Sequence, residues 1–145
     1  MNAYEDVSKQ ACANHCDNVM QHLGYYFPKW VNFLVTFYLS KINEKNINLK
    51  EIVREWINEM MFGYMGIESI AFFTDCFLKK GWNYLYKIIL SFFEHRTDTI
   101  SRNELFLSGA AKTEDIVKML LDGSEEWPMI FCSAVTFNFE DRVQN

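Results

Sequence analysis

No apolar run in this chain reaches the ~20 residues that a membrane-spanning helix needs, because Lys29, Asn32, Lys41, Lys87 and Glu94 interrupt every candidate. The N-terminus lacks a basic stretch followed by an apolar core, so no signal peptide is expected and the protein should be intracellular and soluble. Paired CxxC spacing is missing as well. Cys12, Cys16, Cys76 and Cys132 are scattered as free thiols in a reducing compartment are, and no structural disulfide is expected. No Lys/Arg cluster tracks a phosphate backbone and the formal charge of -5 is modest, so nucleic acid is not the expected partner and the acidity reads as solubility.

Catalytic signatures are equally scarce. The chain has no GxSxG, no HExxH and no glycine-rich phosphate loop. A nucleophilic cysteine needs an electropositive neighbourhood and an orienting base, and the sequence places neither. The pairs Glu114-Asp115 and Glu125-Glu126 stand at expected helix starts, where negative charge complements the dipole, so capping explains them better than acid-base chemistry. Cys12 and Cys16 share a helix face and are joined by His15, with His22 further on. His15 is rotated away from Cys12 and a fourth ligand is unspecified, so small buried thiols explain the cluster better than zinc. No cofactor or metal is expected, and the chain reads as a binder, not an enzyme. A thiol or metal enzyme on Cys12, His15 and Cys16 is the third reading.

What is present is apolar and aromatic. In 145 residues the hydrophobic share is 50% and the aromatic share 17%, with 13 Phe and four Trp, which exceeds what filling one core requires. Some of these rings should line a groove or an interface. The whole chain, 1–145, reads as one domain without repeats or long linkers. From Phe73 to Phe93 two apolar helical segments meet at Lys79-Lys80-Gly81, and the second is aliphatic or aromatic on nearly every side. A helix with so little polar surface belongs inside, so about 82–95 should be a central helix enclosed by others.

Caps mark the remaining boundaries. Val7, Ala11, Val19, Met20 and Leu23 share one face of a first helix, Ala3 to Leu23, which Gly24 should close. Pro28 suits the first turn of a second, Lys29 to Ile42, carrying Trp30, Phe33, Leu34, Phe37 and Tyr38. After the polar stretch Asn43 to Asn46, Asn48 with Glu51 resembles a capping box ahead of Ile52, Val53, Trp56, Ile57 and Met60. Gly63 and Gly66 should end that helix and open the fourth, Ile67 to Lys79. The fifth should run from Trp82 to about His95 and stop at the turn Thr97-Asp98-Thr99. Ser101 with Glu104 offers another capping box, Thr113 a cap for a helix to Leu121, and Ser124, after the stop at Asp122-Gly123, a cap for a last helix with Trp127 and Ile130. The tail Phe131 to Phe139 alternates in polarity but has no strand to pair with, so it is expected to be irregular or helical. The expectation is an all-α bundle of seven to eight helices.

The run Leu78-Lys79-Lys80-Gly81-Trp82-Asn83-Tyr84-Leu85-Tyr86 resembles the first homology region of the Bcl-2 family, Leu-Phe-x-x-Gly-x-Asn-Trp-Gly-Arg followed by an apolar stretch. Phe77 and Leu78 take the Leu-Phe pair, Gly81 the Gly, Asn83 the Asn and Tyr84 the Trp. Leu85 and Tyr86 stand where the family has Gly and Arg; matching Trp82 to the family Trp across a gap puts Tyr84 at the Arg instead. Leu120 to Pro128, with Trp127, is similar to the second homology region. A short connection between the first two helices and the lack of an apolar C-terminal anchor resemble divergent viral members, of the iridovirus or poxvirus type.

This resemblance implies a Bcl-2-like bundle around the helix at about 82–95. It also implies an inhibitor of apoptosis that holds the amphipathic death-motif helix of pro-apoptotic Bcl-2 proteins in a hydrophobic groove between helices two to five. Phe73, Phe77, Gly81, Trp82, Asn83, Tyr84, Tyr86 and Ile88 are the expected lining. With tyrosine at the arginine position, affinity would rest on apolar burial, with a tyrosine hydroxyl as a hydrogen-bond substitute. The expected place is the host cell cytoplasm, with a peripheral position at mitochondria left open, and a homodimer that covers the empty groove is also open. The alternative is a Bcl-2-like adaptor that blocks innate immune signalling through a flat helical surface.

Overall fold

Proline at 28 has no backbone N–H and disfavours helix in the residue before it, so one helix ends and another begins there. In the computed structural model, which describes residues 3–40, 48–123 and 127–137 and the side chains within them except 3–9 and 35–40, α1 spans Ala3–Tyr26 and α2 Pro28–Ser40. Gly24 does not close α1 as expected. The helix runs through it because Leu23 is fully buried and the Tyr26 ring packs edge-on against Phe137 at 5.2 Å, which outweighs the roughly 1 kcal/mol that an interior glycine costs.

The Asn48 side chain accepts a hydrogen bond from the Glu51 N–H at 3.3 Å and starts α3 (Leu49–Glu59), which buries Leu49, Ile52, Val53, Trp56 and Ile57. Its terminator is not Gly63. Met60 and Met61 both take left-handed backbone angles, φ 51° and 64°, and the Met61 N–H returns to the Trp56 carbonyl at 3.0 Å. A left-handed non-glycine residue costs about 1–2 kcal/mol, and complete burial of the Met61 side chain offsets it. Gly63 lies inside the 3-10 turn Phe62–Tyr64, while Gly66 does open α4 (Ile67–Lys80). Gly81, at φ 78°, then turns the chain into α5 (Trp82–Ser101).

α5 is longer than its sequence suggests. Thr97, Asp98 and Thr99 are helical, because the Thr97, Thr99 and Ser101 hydroxyls donate back to the carbonyls of Glu94, His95 and Asp98 at 3.0, 3.0 and 2.7 Å instead of starting a turn. Burial of Arg96, Thr97 and Ile100 holds this extension in place. The Arg96 Nε donates to the Met119 carbonyl at 2.8 Å and its guanidinium lies 3.7 Å from Asp122, so the buried charge ties α5 to the end of α7 (Thr113–Leu120).

Ser101 therefore ends α5, and Asn103 caps α6 (Glu104–Leu107) by accepting from the Leu105 N–H at 3.0 Å. α7 is capped from Lys112, whose N–H donates to the Asp115 carboxylate at 2.9 Å, and Thr113 is already helical. α8 spans Trp127–Thr136, so the tail is helical that far; Ser124, Glu125-Glu126, Asn43 to Asn46 and Phe139 lie outside the described residues.

The described residues thus form eight α-helices and no strand. α5 packs against α1, α4, α6, α7 and α8, and buries Tyr84 to Tyr86, Ile88 to Phe93, Arg96, Thr97 and Ile100. Its midpoint, Phe92, is enclosed by Trp56, Tyr64 and Trp127 with ring centroids at 5.5, 5.4 and 5.5 Å. The polar edges of this cluster are matched as well: Trp56 Nε1 donates to the Tyr64 hydroxyl at 3.1 Å, and Trp127 Nε1 to the Tyr64 carbonyl at 2.9 Å. Among the described residues no helix is long and apolar enough to cross a membrane.

Candidate ligand groove between two helices

α4 and α8 both rest on α5, and between them their side chains leave an apolar furrow. Glu68, Ser69 and Phe72 of α4 face Pro128, Phe131, Cys132 and Val135 of α8 around a cavity of about 400 Å³. Phe72 and Phe131 form its floor, with ring centroids 4.8 Å apart. Half of the Phe72 surface (52%) and most of Val135 (64%) face solvent. On α8 the two jobs divide by face. Trp127, Ile130, Phe131 and Ala134 are buried, while Pro128, Cys132 and Val135 extend the apolar stripe beyond what the core covers.

Val135 also borders a second cavity of about 350 Å³ at the start of α5, lined by Lys80, Asn83, Tyr84, Lys87 and Ala134. The Lys80 ammonium lies 5.4 Å from the centre of the Tyr84 ring. The Tyr84 hydroxyl is held above the usual phenol value, first by burial and then by the neighbouring Cys76 thiol, so it stays a neutral phenol, and it is buried without a hydrogen-bond partner among the described residues.

The eight residues expected to line a groove divide among four places. Asn83 and Tyr84 border the second cavity. Phe73 is fully buried and packs against Phe77 at 5.9 Å and Tyr84 at 5.6 Å, with Gly81 half-buried at the helix junction. Ile88 is core. Trp82 and Tyr86 turn the other way, towards α1: the His15 ring stacks on Trp82 at 3.7 Å, and the Tyr86 hydroxyl pairs with His15 Nδ1 and accepts from the Asn18 amide at 3.2 Å. Tyr86, which occupies the arginine position of the resemblance, is therefore engaged by the chain's own first helix and does not offer its hydroxyl to a ligand.

The thiol cluster on α1 faces α3. Cys12 Sγ donates to the Asn58 side chain at 2.9 Å and Cys16 Sγ to the Lys50 carbonyl at 3.6 Å, so both thiols join α1 to α3. Burial raises the Cys16 thiol above its ordinary value and lowers His15 and His22, which are held neutral. Among the described residues no three His, Cys, Asp or Glu side chains gather as a metal set.

Sequence reasoning missed Phe72, Phe131, Cys132 and Val135. A signal was available: α8 carries apolar or small residues at nearly every position, more than one buried face uses. No protein-family model, no curated protein and no solved structure matches this chain.

Proposed function

We propose that this chain is a Bcl-2-like inhibitor of apoptosis of viral type, which holds the amphipathic death-motif helix of a pro-apoptotic Bcl-2 protein in the furrow between α4 and α8. The observation that carries the reading is the half-exposed Phe72 ring set against the buried Phe131 and flanked by Val135, beside the largely buried helix α5. A helix laid there would place side chains at i, i+3 or i+4, and i+7 into the furrow. The α8 lining from Pro128 to Val135 gives a wall roughly 10 Å long, enough for about two helical turns of ligand. Resemblance of Phe77 to Tyr86 to the family's first homology region supports the choice of partner, and the place of the furrow differs from the expected one between helices two to five.

A panel of death-motif peptides titrated by fluorescence anisotropy tests this. Binding at micromolar affinity or better is expected, with Phe72→Glu and Val135→Asp each weakening it about tenfold or more by placing a carboxylate on the apolar floor. Bound peptide should also slow alkylation of Cys132, which lines the furrow and is exposed.

The adaptor reading has one observation of its own. Ile67 and Leu78 are 85% and 77% exposed and share the outer face of α4 with Ala71, an apolar stripe outside the furrow. Absence of any peptide binding at ~0.1 mM would favour this surface over the groove.

A further inference from the structure

We infer that the recess between the start of α2 and the second half of α5 takes an arginine side chain presented by a partner protein. The recess shares no residue with the furrow, so this site is independent of the groove reading.

Phe27, Trp30, Glu94, Thr97, Asp98 and Ser101 line the space, which measures about 320 Å³. Its aromatic side is fixed from behind. Phe27 packs on Phe93 at 5.4 Å, and the Trp30 ring is stacked on Phe106 at 5.7 Å with Phe33 edge-on at 5.6 Å, while the half-buried indole still borders the recess. The α5 side is rich in oxygen. Thr97 and Ser101 donate their hydroxyl hydrogens to the carbonyls of Glu94 and Asp98, at 3.0 and 2.7 Å, which leaves their oxygens as acceptors. Glu94 and Asp98 add two carboxylates one helical turn apart, and none of the described lining residues is a cation.

Like charges at i and i+4 weaken a helix unless cations offset them. Arg102 does this for Asp98, at 3.3 Å along the exposed side of α5. Glu94 has no ion pair among the described residues, and it stands in the interior of α5, where neither helix end accounts for a charge. Lys29, beside Trp30 in sequence, borders a separate hollow with Trp30 and Phe33. A carboxylate left over beside an indole suits a planar guanidinium, which stacks on the ring while its N–H groups reach the carboxylate and the hydroxyl oxygens. A lysine ammonium has no plane to stack and fits the same set less well.

The test titrates the isotope-labelled chain and follows its indole N–H signals by NMR, with the Trp30 signal identified by its loss in Trp30→Phe. The probes are capped Gly-Gly-X-Gly-Gly peptides in which X is arginine, lysine or citrulline, the neutral isostere of arginine. The arginine peptide should shift the Trp30 signal saturably with a Kd on the order of 10 mM, about threefold tighter than the other two, and its advantage over citrulline should shrink as salt is raised. Glu94→Gln should weaken binding about threefold, whereas Phe72→Glu, in the furrow, should leave it unchanged. No shift up to about 50 mM peptide, equal binding of citrulline, or an unchanged affinity in Glu94→Gln would overturn the inference, and equal binding of lysine would overturn the choice of arginine. A Trp30 signal that moves with protein concentration and ignores the peptides would give the recess to a second copy of the chain, which overturns it too.

Discussion

Two aromatic clusters meet at Phe131, and they differ in how far their surfaces are finished. Inside, Trp56, Tyr64, Phe92 and Trp127 touch one another on several sides, and the indole N–H groups are both bonded. Outside, Phe72 and Phe131 touch each other, but Phe72 keeps half of its surface in water and Val135 more. The inner cluster is a structural joint among α3, α5 and α8. The outer one is apolar surface that the fold leaves uncovered, which is what a binding face requires.

Truncating the inner cluster should have the largest effect on stability. Phe92→Ala is expected to cost about 3–5 kcal/mol in urea denaturation, because the cavity would open where three large rings converge. Phe72→Ala should cost about 1 kcal/mol or less while reducing peptide affinity. Equal losses at both positions would erase the distinction between joint and groove.

Gly123→Ala sharpens the same comparison. A Cβ there would lie 2.2 Å from the Tyr64 ring, so the ring must move, and the bond its hydroxyl accepts from Trp56 with it. A loss of about 1–3 kcal/mol is expected, with a changed tryptophan fluorescence spectrum. An unchanged melting temperature would mean that the inner cluster adapts more freely than its packing implies.

The smallest effect should come from acid. His15 and His22 lie on the α1–α5 seam, away from the furrow, and burial holds their folded pKa values below 6.5. The unfolded chain then binds more protons than the folded one as pH falls below about 6.5, so stability declines from there towards the folded values. His15→Gln should flatten part of that decline in pH-dependent denaturation. A steeper fall in the variant would contradict the assignment.

Much of the helix layout was legible because it depends on local chemistry. Pro28, Asn48, Gly66 and Gly81 mark boundaries through an absent N–H, a side-chain acceptor and backbone freedom, none of which needs a distant partner. The failures occurred where distant partners outweigh local preference. α1 continues past Gly24 because Leu23 and Tyr26 pack elsewhere, and α5 continues past Thr97 because Arg96 reaches α7. Met60 and Met61 end α3 in a conformation their side chains resist. Of the expected lining, Asn83 and Tyr84 border a cavity beside α8, while Trp82 and Tyr86 pack against α1, a contact that no local spacing encodes.

The pattern of residues alone determined that α5 would supply much of the core, since Leu85, Ile88, Ile89, Phe92 and Phe93 make most of its surface apolar while Asn83, Lys87, Glu94 and Asp98 leave one polar stripe. Which of its neighbours would stand apart and leave a furrow was decided by three-dimensional packing. α4 and α8 are far apart in sequence, and the space between them depends on how Phe72 and Phe131 seat against the same central helix, a relation that no local spacing encodes.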